Sequence, residues 1–87
     1  MELPGQELVE RGLADLRRGD KTVEALLVSI AAPRLRATGL DVPEPLPDPE
    51  LSLYELLRRE HGDDAHGRYN ALVRRLVSYE RAAECAR

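Results

Sequence analysis

The sequence contains no tryptophan or phenylalanine, and its only aromatic residues are three tyrosines. A core without large aromatic rings must be built from Leu, Val, Ile and Ala, which bury less area per side chain. With 87 residues the chain has room for one domain, and a domain of this size buries only about 60% of the surface of its unfolded chain. The sequence therefore predicts a single domain over residues 1–87 that gains stability from dimerisation or from a protein partner.

Cysteine and lysine are scarce as well, with Cys85 and Lys21 as the single residues of each type. One cysteine forms no internal disulfide, and no signal-like apolar segment opens the chain, so we expect a cytoplasmic protein. The net charge of −3 and the pI near 5.4 describe a small acidic protein and speak against a sequence-independent nucleic-acid binder. No apolar run is long enough to span a membrane.

Recognisable catalytic motifs are also missing. The chain has no glycine-rich loop followed by Lys-Ser or Lys-Thr, no G-x-G-x-x-G after a strand and no G-x-S-x-G. We therefore expect no cofactor, assign no catalytic residue from motifs, and favour a protein that is not an enzyme.

The longest apolar stretch, residues 22–39, is the main feature that is present. Its apolar side chains occur around most of the circumference of a helix, which predicts a central helix surrounded by the rest of the chain. Pro33 lies inside this stretch, where it removes a backbone donor and clashes with the preceding turn, so we expect a kink there.

Apolar residues at helical spacing indicate four helices, over residues 4–18, 21–38, 49–61 and 64–85. In the first helix Gly12 lies on the apolar face, where it allows close approach of a neighbouring backbone. Gly19 is a C-cap, and Asp20 or Thr22 is an N-cap. The first two helices should therefore be antiparallel neighbours.

An extended arm over residues 40–48 connects the two halves of the chain, because proline recurs at every second position from Pro43 to Pro49. The arm is acidic and lacks flanking Arg or Lys, which favours a connector over a ligand for a proline-binding groove. Asp48 and Pro49 predict a capped helix start. The predicted fold is all-α, a small four-helix bundle-like domain of two antiparallel helical pairs joined by the arm.

Both histidines lie in the junction of the third and fourth helices. His61, His66 and either Asp63 or Asp64 could converge on a metal ion, although the chain has no H-E-x-x-H. The alternative assigns Asp63 or Asp64 to capping the last helix and His61 to the end of the preceding helix. Capping explains more of the segment, so no metal site is assigned.

Arg59 and His66, separated by six residues, resemble the Arg-x(4 to 6)-His motif of the HEPN superfamily, small helical proteins that include ribonuclease toxins and their partners. The family usually places Asn, Asp or His after the Arg, where this chain has Glu60. The resemblance implies that Arg59 would steady a phosphate and His66 would transfer a proton at an RNA 2′-hydroxyl. It also implies a partner or dimer that supplies a basic surface.

One face of the last helix is polar at helical spacing and forms a candidate interaction surface, comprising His66, Asn70, Arg74, Ser78 and Arg81. The expected function is that of a non-enzymatic interaction or regulatory module, acting as a homodimer or with a larger partner. The HEPN-like RNA-acting protein or toxin/antitoxin component is the alternative, and metal binding is the second alternative.

Overall fold

The structure, a computed structural model, describes residues 3–86, and residues 1, 2 and 87 of the predicted domain range lie outside it. Helices α1 (Gln6–Arg18), α2 (Val23–Ala37), α3 (Pro49–His61) and α4 (Ala65–Ala86) make up most of this part, with a 3₁₀ turn over Gly62–Asp64 before α4. No strand occurs among the described residues. The predicted all-helical fold is thus confirmed at this level.

The helix starts reflect local capping. The predicted ranges of the first two helices begin two residues before α1 and α2, because Gly5 and Thr22 are capping residues outside the helices. Thr22 Oγ1 accepts a hydrogen bond from the Ala25 N–H at 3.1 Å, as predicted. At the other end of the turn Gly19 adopts a left-handed conformation and its N–H binds carbonyls of α1.

Helix α2 supplies the centre of the core. Leu26, Leu27 and Leu35 are completely buried, and α1, α3 and α4 all contact this helix. One side of α2 is less covered than predicted, because Ile30 is only partly buried and Pro33 is exposed. The helix continues without interruption through Pro33 to Ala37.

The proline-rich arm lies against α2 and is fastened there by polar contacts. The Leu46 N–H donates to Ser29 Oγ at 3.0 Å, and Arg36 Nη2 donates to the carbonyls of Val42 and Pro43 at 3.0 and 3.2 Å. Val42 is buried in the core. The arm is therefore an ordered connector whose backbone is held by side chains of the central helix.

Two predicted side-chain caps are wrong. Asp48 precedes α3 in a left-handed conformation with φ 45°, and its side chain makes no capping hydrogen bond; its carbonyl accepts from Ser52 N–H instead. Asp63 and Asp64 are exposed in the 3₁₀ turn, which leads directly into α4. Neither carboxylate has a hydrogen-bond partner among residues 3–86. In the 3₁₀ turn the backbone carbonyl of Gly62 accepts the N–H of Ala65, so the turn is closed by backbone alone.

Candidate functional site

A shallow groove between α2 and α4 is the first candidate site. Its volume is about 280 Å³. Apolar side chains of both helices and three charged residues line it: Ile30, Ala31, Pro33, Val73, Leu76 and Val77, with Arg34, Glu50 and Glu80. Ile30, Val73 and Val77 are only partly buried, so the groove leaves apolar area of the two helices uncovered. We call it the α2–α4 groove.

An ion pair joins the two sides of this groove. Arg34 Nη1 of α2 lies 3.4 Å from Glu80 Oε2 of α4. Glu80 is only 7% exposed, while the Arg34 side chain is largely in solvent, so the pair shields a carboxylate on the apolar face of α4. A buried carboxylate without such a partner would carry a large desolvation cost.

The predicted interaction surface follows the solvent side of α4, next to the groove. His66, Arg74, Ser78 and Arg81 are exposed and Asn70 is partly buried. Asn70 Nδ2 lies 3.3 Å from His66 Nε2. None of the three residues Arg74, Ser78 and Arg81 forms an ion pair or a side-chain hydrogen bond among the described residues. Their polar groups are thus available to a partner.

An aromatic cluster lies between the middle of α3 and the first turns of α4. The ring of Tyr54 lies 6.0 Å from that of Tyr69 and 6.5 Å from that of His66, measured between centroids. Burial, together with the negative charge of Glu50, raises the pKa of Tyr69 above its ordinary value. Glu50 also lines the α2–α4 groove.

The structure places the two histidines in different surroundings. His66 contacts Tyr54 and Asn70, whereas His61 lines a second cleft with Val23 and Arg68. Among residues 3–86 no group of three or more His, Cys, Asp or Glu side chains is placed to hold a metal ion. The candidates His61, Asp63, Asp64 and His66 gain no support as ligands.

The alternative pair Arg59 and His66 also gains no support. His66 lies against Tyr54, and Arg59 comes five residues after Tyr54, which places it about 140° further around the axis of α3 at 100° per residue. Arg59 is exposed and has no ion-pair partner in the described part of the chain. No contact joins the two side chains into a site.

Three polar residues that the sequence did not mark turn out to be buried: Asp15, Ser29 and Glu80. Asp15 accepts a hydrogen bond from Thr22 Oγ1 at 2.7 Å and pairs with Arg18. The Asp20 carboxylate, 3.0 Å from Arg18 Nε, is the main cause that raises the pKa of Arg18. The burial of Ser29 and Glu80 could have been inferred from the sequence only because each lies within an apolar stripe of its helix.

Comparison of the chain with protein-family models, with curated proteins and with solved structures finds no match. No helix among residues 3–86 combines the length and hydropathy needed to cross a membrane. The site must therefore be interpreted from its own geometry.

Proposed function

We propose that this protein is a non-enzymatic interaction or regulatory module of the cytoplasm, which acts as a dimer or with a larger partner through the α2–α4 groove. The main support is the partly buried apolar strip of Ile30, Val73 and Val77 between two helices of a small domain. Burying such a strip on association contributes a favourable free energy of about 25 cal/mol for each Å² of apolar surface removed from water. The unpaired polar side chains of α4 beside it supply direction and specificity.

Two finer structural features are part of this proposal: a bundle-like arrangement of two antiparallel helical pairs, and a kink in α2 at Pro33. Both bear on the groove, because Pro33 forms part of its wall. A bend at Pro33 would tilt the end of α2 and set the width of the groove.

Sedimentation equilibrium across a dilution series tests the proposal, using wild type, Val77→Asp and Ala71→Asp. Val77 lines the groove, whereas Ala71 is an exposed residue of α4 that lies about 120° away around the helix axis. We expect wild type and Ala71→Asp to associate at micromolar concentration and Val77→Asp to dissociate. If Val77→Asp loses helical circular dichroism, Ile30→Ala serves as the milder variant.

A wild-type chain that stays monomeric throughout the series and captures no partner when immobilised would reject the proposal. If Val77→Asp and Ala71→Asp dissociate equally, the contact between copies does not lie at the groove.

A further inference from the structure

The cleft that His61 lines with Val23 and Arg68 lies where three helices meet. Helix α4 supplies one wall, a line of side chains spaced as neighbours on one helix face: Arg68, Ala71, Leu72 and Arg75. The first turn of α2 and the C-terminal end of α3 supply the other walls, and the volume is about 360 Å³. Arg75 lies about 160° from Val77 around the axis of α4, so this cleft is on the other flank of α4 from the α2–α4 groove. We call it the three-helix cleft.

The floor of the three-helix cleft is apolar. Leu57 lines the cleft although it is only 2% exposed, so the cleft reaches down to the core. Val23 and Leu72 are partly buried beside it. The hydrocarbon stems of the two arginines extend this apolar surface towards solvent. The cleft is near the lower end of the size range of small-molecule sites, so an occupant that fits it is small and partly apolar.

The charged groups that line the cleft leave it positive. Arg68 and Arg75 are exposed, and neither forms an ion pair or a side-chain hydrogen bond among residues 3–86. Glu24 is the only lining carboxylate in the described part of the chain, and it pairs with neither arginine. It lies in the first turn of α2, where its charge interacts favourably with the helix dipole. Two guanidinium groups against one carboxylate give a positive cleft in a chain whose net charge is −3.

We propose that the three-helix cleft binds a small monovalent organic anion, a carboxylate with a short hydrocarbon body. Arg68 and Arg75 are two turns apart, about 10 Å along α4, and the small side chain of Ala71 lies between them. A carboxylate above Ala71 is therefore within reach of both guanidinium groups, which donate charge-assisted hydrogen bonds to it. The hydrocarbon body rests on the apolar floor, and the imidazole of His61 supplies a further hydrogen-bond donor.

The charge of Glu24 limits the ligand to one negative charge. A second anionic group on so small a ligand would lie within the same cleft as this carboxylate and would be repelled by it. The site does not depend on the association proposed above, because it lies on the other flank of α4.

A nuclear magnetic resonance titration of the full chain with hexanoate at constant ionic strength tests the proposal. Hexanoate has one carboxylate on a short hydrocarbon chain, and hexanol carries the same chain without the charge. We expect saturable shifts of backbone amides around the cleft, with a dissociation constant of about 1 mM for hexanoate. Hexanol should bind at least about tenfold more weakly, because it makes no charge-assisted hydrogen bond. Wild-type shifts that do not saturate by about 10 mM, or equal binding of hexanol, would overturn the proposal.

Substitution of single arginines tests the part played by the cleft. Arg68→Gln and Arg75→Gln should each weaken hexanoate binding about tenfold. Arg74→Gln is the matched control, because Arg74 is an exposed arginine of the same helix that does not line the cleft, and its loss changes the net charge equally. An equal loss of affinity in all three variants would show attraction by the net charge alone and would refute the site.

Glu24→Gln should increase the affinity for hexanoate, by about threefold, because it removes the repulsion from the one lining carboxylate. The helical circular dichroism of this variant checks that α2 keeps its first turn. An affinity that stays the same in a folded Glu24→Gln would overturn the limit to monovalent anions.

Two variants of α4 separate this inference from the association proposed above. Ala71→Asp places a carboxylate between the two arginines, so it should lose hexanoate binding while it still associates. Val77→Asp should bind hexanoate like wild type while it fails to associate. The opposite result, with hexanoate binding lost in Val77→Asp and kept in Ala71→Asp, would place the ligand in the α2–α4 groove and refute the three-helix cleft as its site.

Discussion

Gly12 of α1 faces Glu24 of α2 so closely that a Cβ atom on Gly12 would lie 2.9 Å from the carbonyl carbon of Glu24 and would overlap its carbonyl oxygen. A methyl group at this point would also overlap Val28. The first two helices are therefore in contact through their backbones, which only glycine permits here.

Gly12→Ala should destabilise the protein even though alanine favours a helix by about 1 kcal/mol over glycine. Overpacking at a backbone contact costs about 1–3 kcal/mol or more, and here the helices must separate to relieve it. Gly67→Ala is the matched control, since Gly67 lies in α4 with nothing within 4 Å of an added Cβ. Urea unfolding should show a loss for Gly12→Ala and a gain of about 0.5–1 kcal/mol for Gly67→Ala. Equal gains at both sites would mean that α1 and α2 do not pack this closely.

Two substitutions in α2 compare how much its buried side and its partly exposed side contribute to stability. Leu27→Ala should cost about 2–5 kcal/mol, because Leu27 is completely buried and its removal leaves a cavity. Ile30→Ala should cost roughly half as much, since part of that side chain is already in solvent and borders the groove. Thermal melts of the two variants at a concentration where the protein is monomeric give the comparison. A larger loss for Ile30→Ala would contradict the described burial.

The contrast between Leu27 and Ile30 shows what the sequence could and could not predict. The apolar run around α2 indicated a central helix, and Thr22 and Gly19 indicated its turn, because these signals are local. The partial exposure of Ile30 depends on how far α4 extends over α2, which no local pattern records. The sequence therefore identified the central helix but not the groove beside it.

The candidate site was predictable only in part for a related reason. The polar face of α4 follows from helical spacing, so its residues from His66 to Arg81 could be listed from the sequence. The approach of Glu50 and Ile30 to this helix is a tertiary contact between segments far apart in the chain. Asp48, and either Asp63 or Asp64, were assigned capping roles by residue type. In the structure Asp48 has a left-handed backbone conformation without a side-chain cap, and Asp63 and Asp64 lie in a 3₁₀ turn.

The hydrogen bond between Ser29 Oγ and the Leu46 N–H leads to a third prediction. Ser29→Ala should lower the free energy of unfolding by about 1–2 kcal/mol, because the amide of Leu46 loses its acceptor at a partly buried site. Amide hydrogen exchange should also become faster at Leu46. Amides of α1 should change only as much as the lower global stability requires. Thr38→Ala is a suitable control, since its hydroxyl donates to the Leu35 carbonyl at the end of α2 and makes no hydrogen bond to the arm. Unchanged exchange at Leu46 would show that the arm is held without Ser29.

The raised pKa of Tyr79 leads to a prediction for the stability of the protein at high pH. Burial, and to a smaller extent the negative charge of Glu10, raises the pKa of the Tyr79 phenol above its ordinary value of 10. The folded state then holds the phenolic proton more tightly than the unfolded state does. Stability from this group is complete below pH 10 and falls as the pH rises from 10 through the folded pKa.

Tyr79→Phe removes this titration, so it should reduce the loss of stability above pH 10 relative to wild type. Tyr69→Phe should act in the same direction, because burial and Glu50 raise the pKa of Tyr69 as well. Urea unfolding at a series of pH values from 8 to 11, around the ordinary tyrosine pKa of about 10, measures the slope. A double variant whose stability falls as steeply as that of wild type would show that neither phenol is held in its neutral form by the fold.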